Sequence, residues 1–221
     1  LHSTSRRQRQ MCIRDSLGTR LLRTQRLVLR RMTLDDCHDM YKNWACDPAV
    51  TRYLRWNAHR DWTVTAEFLH LVELQYQNPA FYQWGICLQD GPLVGSISVQ
   101  PGERSAPDAW RRLPAAACSG PLWETGYAWG RRWWGQGYAP EALAKVLRFW
   151  FEEVGAPFLA ACHAVSNPAS RRVIEKCGFH YDHDAVCHRY DGSPVICRTY
   201  SLLVSEWEEF SAAQTPEPID I

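Results

Sequence analysis

The sequence predicts an α/β domain on a mixed sheet (α+β in some schemes), and three observations predict it. Two apolar runs flank Asp90-Gly91-Pro92 and two more flank Asp191-Gly192, a hairpin composition that makes antiparallel neighbours. Between these hairpins, Leu122 to Cys177 alternates strand, helix, strand, helix, which enforces local parallel pairing. Finally, 221 residues, 46% hydrophobic and 22% charged, are enough to bury a core without disulfides or a structural metal.

The first strand is Arg26 to Met32, where Leu27, Val28, Leu29 and Met32 are flanked by arginines, and Thr33 follows as a helix cap. Met40, Tyr41, Trp44 and Ala45 recur at helical spacing. Asp47-Pro48 breaks that helix before a second helical stretch through Val50, Tyr53 and Leu54. Thr65 to Tyr76 carries Phe68, Leu69, Leu71, Val72 and Tyr76 as another amphipathic helix, ended by Asn78-Pro79. Tyr82 to Gln89 and Leu93 to Val99 form the first hairpin. Gln100 to Gly120 has no steady period and reads as a long loop.

Leu122 to Trp129 is a strand in which Gly126 predicts a bulge. Pro140 to Val154 places Leu143, Val146, Leu147, Trp150, Phe151 and Val154 on one helical stripe. Phe158 to His163 is a short strand, and Asn167 to Cys177 a helix closed by Gly178. Two strands follow Phe179. One domain over residues 17–210 is expected, with residues 211–221 as a flexible tail.

Residues 1–16 stand apart. They have neither an amphipathic period nor an apolar core of signal-peptide length. Arg6 to Ser16 resembles the in-frame translation of a sequencing-library transposon end and is expected to be read-through. Setting them aside removes four arginines and one aspartate, so a net charge of +1 becomes −2 for the remaining 205 residues. Such a balance excludes a general nucleic-acid binder. No run of 18 apolar residues spans a bilayer. Nine cysteines without tandem Cys-x-x-Cys spacing read as reduced thiols in a cytoplasm, most of them small buried hydrophobes.

The chemistry concentrates in Glu124 to Ala142, where a strand runs through a glycine-bearing turn straight into a helix. Gly135 and Gly137 let the backbone turn tightly with its N–H groups unobstructed, and the helix adds its positive dipole end. Such a turn favours a diphosphate. The same pattern, Arg132-x-x-Gly135-x-Gly137-x-Ala139, resembles the acetyl-CoA pyrophosphate motif Q/R-x-x-G-x-G/A of the GNAT acetyltransferases. Asn167-Pro168-Ala169-Ser170, followed by Val173 to Phe179, is similar to that family's second signature, N-x-x-S-x-x-V-x-E-K-x-G-F. The opening TQRLVLRRMTLDD and the segment DPAVTRYLRW look like the RimJ/RimL-type branch, which acetylates N-terminal α-amines of ribosomal proteins. The likeness runs from about Thr24 to Trp207.

The resemblance implies a mostly antiparallel, splayed sheet with helices on both faces, the strands around Gly126 and Ala160 parting to admit the pantetheine arm of acetyl-CoA. Backbone groups near Thr125 and Tyr127 would hold the arm. The amides of Trp134, Gly135, Gln136, Gly137, Tyr138 and Ala139 would take the pyrophosphate, with Arg132 or its neighbour Arg131 as a charge-assisted donor, and Asn167 and Ser170 would complete the cofactor side. The partner is an amine acceptor: a ribosomal-protein N-terminus, another peptide amine or a small amine. Neither nucleic acid nor membrane is expected, and the chain would be a monomer or homodimer.

Direct acetyl transfer needs a base for the amine, a donor to the thioester oxygen and a group that meets the departing sulfur. Glu124 is the candidate base, because alternation places it with Leu122, Gly126 and Ala128 on an apolar face. Its bland reading is a salt-bridged strand carboxylate. Many family members carry a tyrosine on the second helix, but Ile174 stands in that slot, leaving Ser170 or a water for the sulfur. Ser170 also reads as an N3 residue completing the cap begun by Asn167. Tyr181-Asp182-His183 departs from the branch's Y-E-G, and His183 and His188 are minor candidates for the base.

Two other readings compete. One is a CoA-binding sensor that keeps the fold without catalysis. The other is a zinc-binding module, because Cys162, His163, Cys177, His180, His183, Cys187, His188 and Cys197 crowd together. Alternation sends Cys162 and His163 to opposite faces, so no resident metal is expected.

Overall fold

A computed structural model describes residues 17–102, 112 and 121–214. The expectations for residues 1–16, for most of the 100–120 loop and for the last seven residues fall outside that range. Eight strands form one sheet in the order β1-β2-β3-β4-β5-β6-β8-β7, and every neighbouring pair is antiparallel except β5 and β6.

β1 (Leu22–Arg23) and β2 (Leu27–Arg30) form a short hairpin that the sequence reading reduced to its second strand. Asp36 then organises the chain turn: its carboxylate accepts from the Thr33 N–H at 2.9 Å and from both terminal nitrogens of Arg30 at 2.6 and 2.8 Å. Helix α1 (Cys37–Met40) runs into a π-turn over Tyr41–Ala45, and Asp47 caps α2 (Pro48–Thr51) by accepting from the Ala49 N–H. Helix α3 (Trp62–Gln75) starts three residues earlier than predicted because Asp61 caps it. Strands β3 (Tyr82–Leu88) and β4 (Leu93–Pro101) make the predicted hairpin.

β5 (Trp123–Trp129) leads through a 3-10 turn at Arg131–Trp133 into α4 (Tyr138–Arg148), which ends in a π-turn at Phe149–Glu153. The whole predicted stripe is buried, and the π-turn lets Phe149, Trp150 and Phe151 all face inward. β6 (Phe158–Ala164), α5 (Pro168–Lys176), β7 (His180–His188) and β8 (Pro194–Leu203) follow. β8 inserts between β6 and β7. Helix α6 (Val204–Gln214) occupies part of the expected tail: Trp207 stacks on Phe151 at 5.8 Å, and Phe210 lies against Gly178.

Among the described residues, two large cores flank the sheet, with a small third cluster of Leu122, Phe158 and Ala160. On one face the α4 stripe packs on Tyr82, Trp84 and Ile97, and Trp150 meets the Tyr82 ring edge-on at 5.3 Å. On the other, α1 and α3 bring Met40, Trp44, Leu69 and Val72 onto Met32 and Leu93. Each of these fully buried side chains contributes about 1.5–3 kcal/mol. Between the two halves of the sheet, β5 and β6 pair only at Glu124 with Ala160 and Thr125 with Ala161. No bulge forms at Gly126 in the β4–β5 ladder, whose register is unbroken from Gly95/Trp129 to Pro101/Trp123. The irregularity predicted there is instead the point where β5 and β6 part. Register irregularities among the described residues lie at Asp182, between the Tyr181 and His183 pairs of β7 with β8, and between Ile86 and Cys87 of β3 where it pairs with β4.

The tip of the β7–β8 hairpin is strapped across the sheet to residues 51–57. The Arg189 guanidinium donates to the carbonyls of Arg52 and Trp56 and to the Asn57 side chain. The Tyr190 N–H donates to the Arg55 carbonyl at 2.7 Å, and the Arg55 Nε returns a bond to the His188 carbonyl.

Candidate active site

Where β5 and β6 part, a groove of about 380 Å³ opens along α4 and α5. Tyr127, Trp134, Gly135, Gly137, Tyr138, Ala139, Asn167 and Ser170, all singled out from sequence, line it. Gly135 at φ 74° and Gly137 at φ 79° are left-handed, and nothing lies within 4 Å of where a Cβ on Gly135 would stand. Gly137 is the N-cap of α4 and offers no capping side chain, so the first amides of the helix are left for a ligand.

Props hold this turn. Glu141, in the first turn of α4, takes hydrogen bonds from the Thr24 hydroxyl at 2.5 Å and from the Arg26 backbone N–H and Nε at 3.1 and 2.7 Å. Burial opposes its charge, but the Thr24 and Arg26 hydrogen bonds outweigh that and hold the carboxyl below its usual range. Arg26 also donates to the Gln136 carbonyl at 3.1 Å and lies 4.5 Å above the Tyr138 ring. The sequence reading passed over Arg26, because its link to residue 136 is set by the sheet and not by spacing.

Three predicted cofactor residues keep their side chains off the groove. Thr125 is buried at the last β5–β6 pair, its hydroxyl without a partner among the described residues. Gln136 folds back onto the Arg132 carbonyl. Arg132 is exposed and lies 6.0 Å from the Trp133 ring. Of the two arginines, Arg131 is engaged by Asp47 at 2.5 Å, while Arg132 has no carboxylate partner among the described residues. Arg172 and Lys176, four residues apart on α5, line the groove as exposed cations. That spacing could have flagged them.

Ser170 completes the cap, and its hydroxyl faces a phenol. Its N–H donates to Asn167 Oδ1 at 3.2 Å, the predicted cap, and its hydroxyl lies 2.9 Å from the Tyr127 hydroxyl. Burial pushes the Tyr127 phenol well above its usual range, so it stays protonated and available as a donor. A phenol thus reaches this point from β5, although α5 carries Ile174. The resemblance had implied a backbone role only for Tyr127.

Glu124 lies on the opposite face of β5 from Tyr127. It lines a second cavity, of about 90 Å³, and accepts a hydrogen bond from the Cys162 thiol at 2.9 Å. Tyr53 and Leu54 border both cavities. His183 meets Asp182 at 3.1 Å, and His188 also borders the smaller cavity. The Cys/His crowd does not gather as a whole. Cys177 is buried with its thiol toward the Pro140 carbonyl, and His163 packs on Tyr200, whereas Cys162, Cys187 and Cys197 converge.

The site thus combines a sheet split between two strands, a helix N-terminus at the split and a carboxylate on the far face. The acetyltransferase (GNAT) domain model matches residues 26–180, and the chain belongs to that family. An N-acetyltransferase of Bacillus subtilis named YoaA, itself uncharacterised, is 27% identical over 187 residues, 83% of this chain and 96% of its own. A GNAT-family acetyltransferase from Bacillus anthracis superposes with a TM-score of 0.67 at 19% identity, over 84% of this chain and 99% of that one. RimL, a ribosomal L7/L12 α-N-protein acetyltransferase solved with coenzyme A, superposes at 0.67 with 15% identity, over 85% and 99%. Family membership makes the chain an enzyme of acyl transfer and sets the non-catalytic sensor aside. Among the described residues, no helix is long and apolar enough to cross a membrane.

Proposed function

We propose that the protein transfers an acetyl group from acetyl-CoA to a primary amine, either a protein N-terminal α-amine, as in the RimJ/RimL-type branch, or a small amine. The observation that carries this reading is the groove through the β5/β6 split, with an uncapped glycine turn at one end and Glu124 on the other face. Acetyl-CoA supplies an electrophilic thioester carbonyl. The amides from Trp134 to Ala139 bind its pyrophosphate, and Arg132, Arg172 and Lys176 add positive charge at the exposed end of the groove.

β5 past Thr125 has lost its β6 partner, so its backbone is available to hold the extended arm. The acceptor reaches the thioester from the Glu124 side. Glu124 takes the ammonium proton directly or through water, freeing the lone pair for attack. The amine nitrogen bonds to the carbonyl carbon, the C–S bond breaks, the Tyr127–Ser170 hydroxyl pair gives a proton to the departing sulfur, and the second proton shed by the nitrogen returns through solvent to that pair. The products are an amide and a free thiol.

An acetyl-CoA-dependent thiol-release screen across peptide α-amines, polyamines and amino sugars tests this reading. Turnover with at least one amine class is expected, lowered by Glu124→Gln and by Ser170→Ala. No release with any amine, or release untouched by both substitutions, overturns it.

A further inference from the structure

The smaller cavity holds an arrangement that acetyl transfer does not require. On β6, β8 and β7, Cys162 stands opposite Thr199, Cys197 opposite Ala164 and Ala185, and Cys187 opposite Val195. Each cysteine is therefore one diagonal step from the next, in the same direction and on the same sheet face. The staircase starts at Glu124, whose partner Ala160 lies two residues before Cys162. Diagonal neighbours are ordinarily about 7–8 Å apart at the backbone, yet the three sulfurs lie within 4.8 Å of one another and all three thiols are free.

We propose that Cys162, Cys187 and Cys197 form a three-thiolate site for a soft divalent metal ion, Zn²⁺ foremost, with the adjacent Glu124 carboxylate as fourth donor. Tetrahedral Zn–S bonds of about 2.3 Å set sulfurs about 3.8 Å apart, so the observed cluster needs only a small contraction. Glu124 Oε1 already lies 2.9 Å from one sulfur. Thiolates select zinc over hard cations such as magnesium and calcium, which take oxygen ligands. Arg55, on the cavity wall, adds positive charge that offsets the sulfur-rich donor set. A bound metal ion would engage the carboxylate that the proposed transfer uses as its base, so loading the site and acetyl transfer exclude one another; the site itself does not depend on Glu124 serving as that base.

The test is titration of the reduced full-length chain with Cd²⁺, read by near-ultraviolet sulfur-to-cadmium absorption, with Zn²⁺ as competitor. One Cd²⁺ per chain is expected, displaced by Zn²⁺, and its band is lost in Cys187→Ser and in Cys197→Ser. In the unsubstituted chain, bound Cd²⁺ should shield Cys162, Cys187 and Cys197 from iodoacetamide while Cys37 and Cys46 still react, a readout that no folding defect can mimic. Absence of a band with stoichiometric Cd²⁺, absence of that shielding, or a band that survives both substitutions overturns the site.

Discussion

The two cavities on either side of β5 are built from different materials. The groove along α4 and α5 is made of backbone and rings: two left-handed glycines, an uncapped helix and Trp129 stacked on Tyr138 at 6.4 Å. The cavity on the other face is made of titratable side chains, a carboxylate and three thiols within one sheet diagonal. A large, invariant ligand can be held by peptide groups, which no single side-chain replacement removes. Proton and metal chemistry has no backbone substitute. The groove's hold on the cofactor's pyrophosphate should therefore tolerate single side-chain changes except at its glycines, and the cavity should be sensitive to the loss of one atom.

The largest effect that sharpens this contrast is expected at Glu124. Glu124→Gln should lower turnover on the order of 10²–10³-fold while leaving the calorimetric affinity for coenzyme A within about twofold; a matching loss of affinity would merge the two regions into one. Gly137→Val should act the other way. A β-branched residue at φ 79° costs about 1–2 kcal/mol, and its Cβ would lie 3.4 Å from the Arg26 guanidinium. Coenzyme A affinity should fall roughly tenfold while the cavity thiols keep their reactivity in an iodoacetamide assay.

The smallest effect is in acid. Burial lowers the pKa of His163, beneath α5, and of His59, beside α3, from 6.5. His163 Nδ1–H donates to the Ala164 carbonyl at 2.7 Å, and its buried Nε2 has no partner among the described residues. Below pH 6.5 the unfolded chain takes up protons that the folded chain refuses. The stability is thus fully present above about 6.5 and lost as pH falls through the depressed folded values, with a limiting slope of about 1.4 kcal/mol per pH unit for each histidine. His163→Gln should flatten part of that slope in denaturant titrations between pH 7 and 5, and His59→Gln the rest.

Local features were legible where one residue type has one physical reason to be present. Asn167 caps a helix, and Gly135 and Gly137 supply left-handed turns. The α4 stripe follows from its period. What stayed hidden depended on strand order and register. Cys162, Cys187 and Cys197 meet only because β8 lies between β6 and β7, an arrangement that no spacing announces. Arg26 reaches Gln136 across 110 residues of chain. Helix α6 was missed because Ser205, Glu206 and Ser211 break its apolar pattern, while Trp207 and Phe210 do the packing. Gly126 was read as a bulge although its unbroken register with β4 marks the edge of the split.

The strap between Arg189 and residues 52–57 acts as a tie-beam over that split. β5 and β6 share two register pairs, and this beam fastens the outlying hairpin to the first half of the chain at the wall of the smaller cavity, which Arg55 and Arg189 both line. The two segments it joins are therefore one inherited unit. A chimera that exchanges either of them without the other leaves the guanidinium facing foreign carbonyls and the roof of the enzyme unfastened.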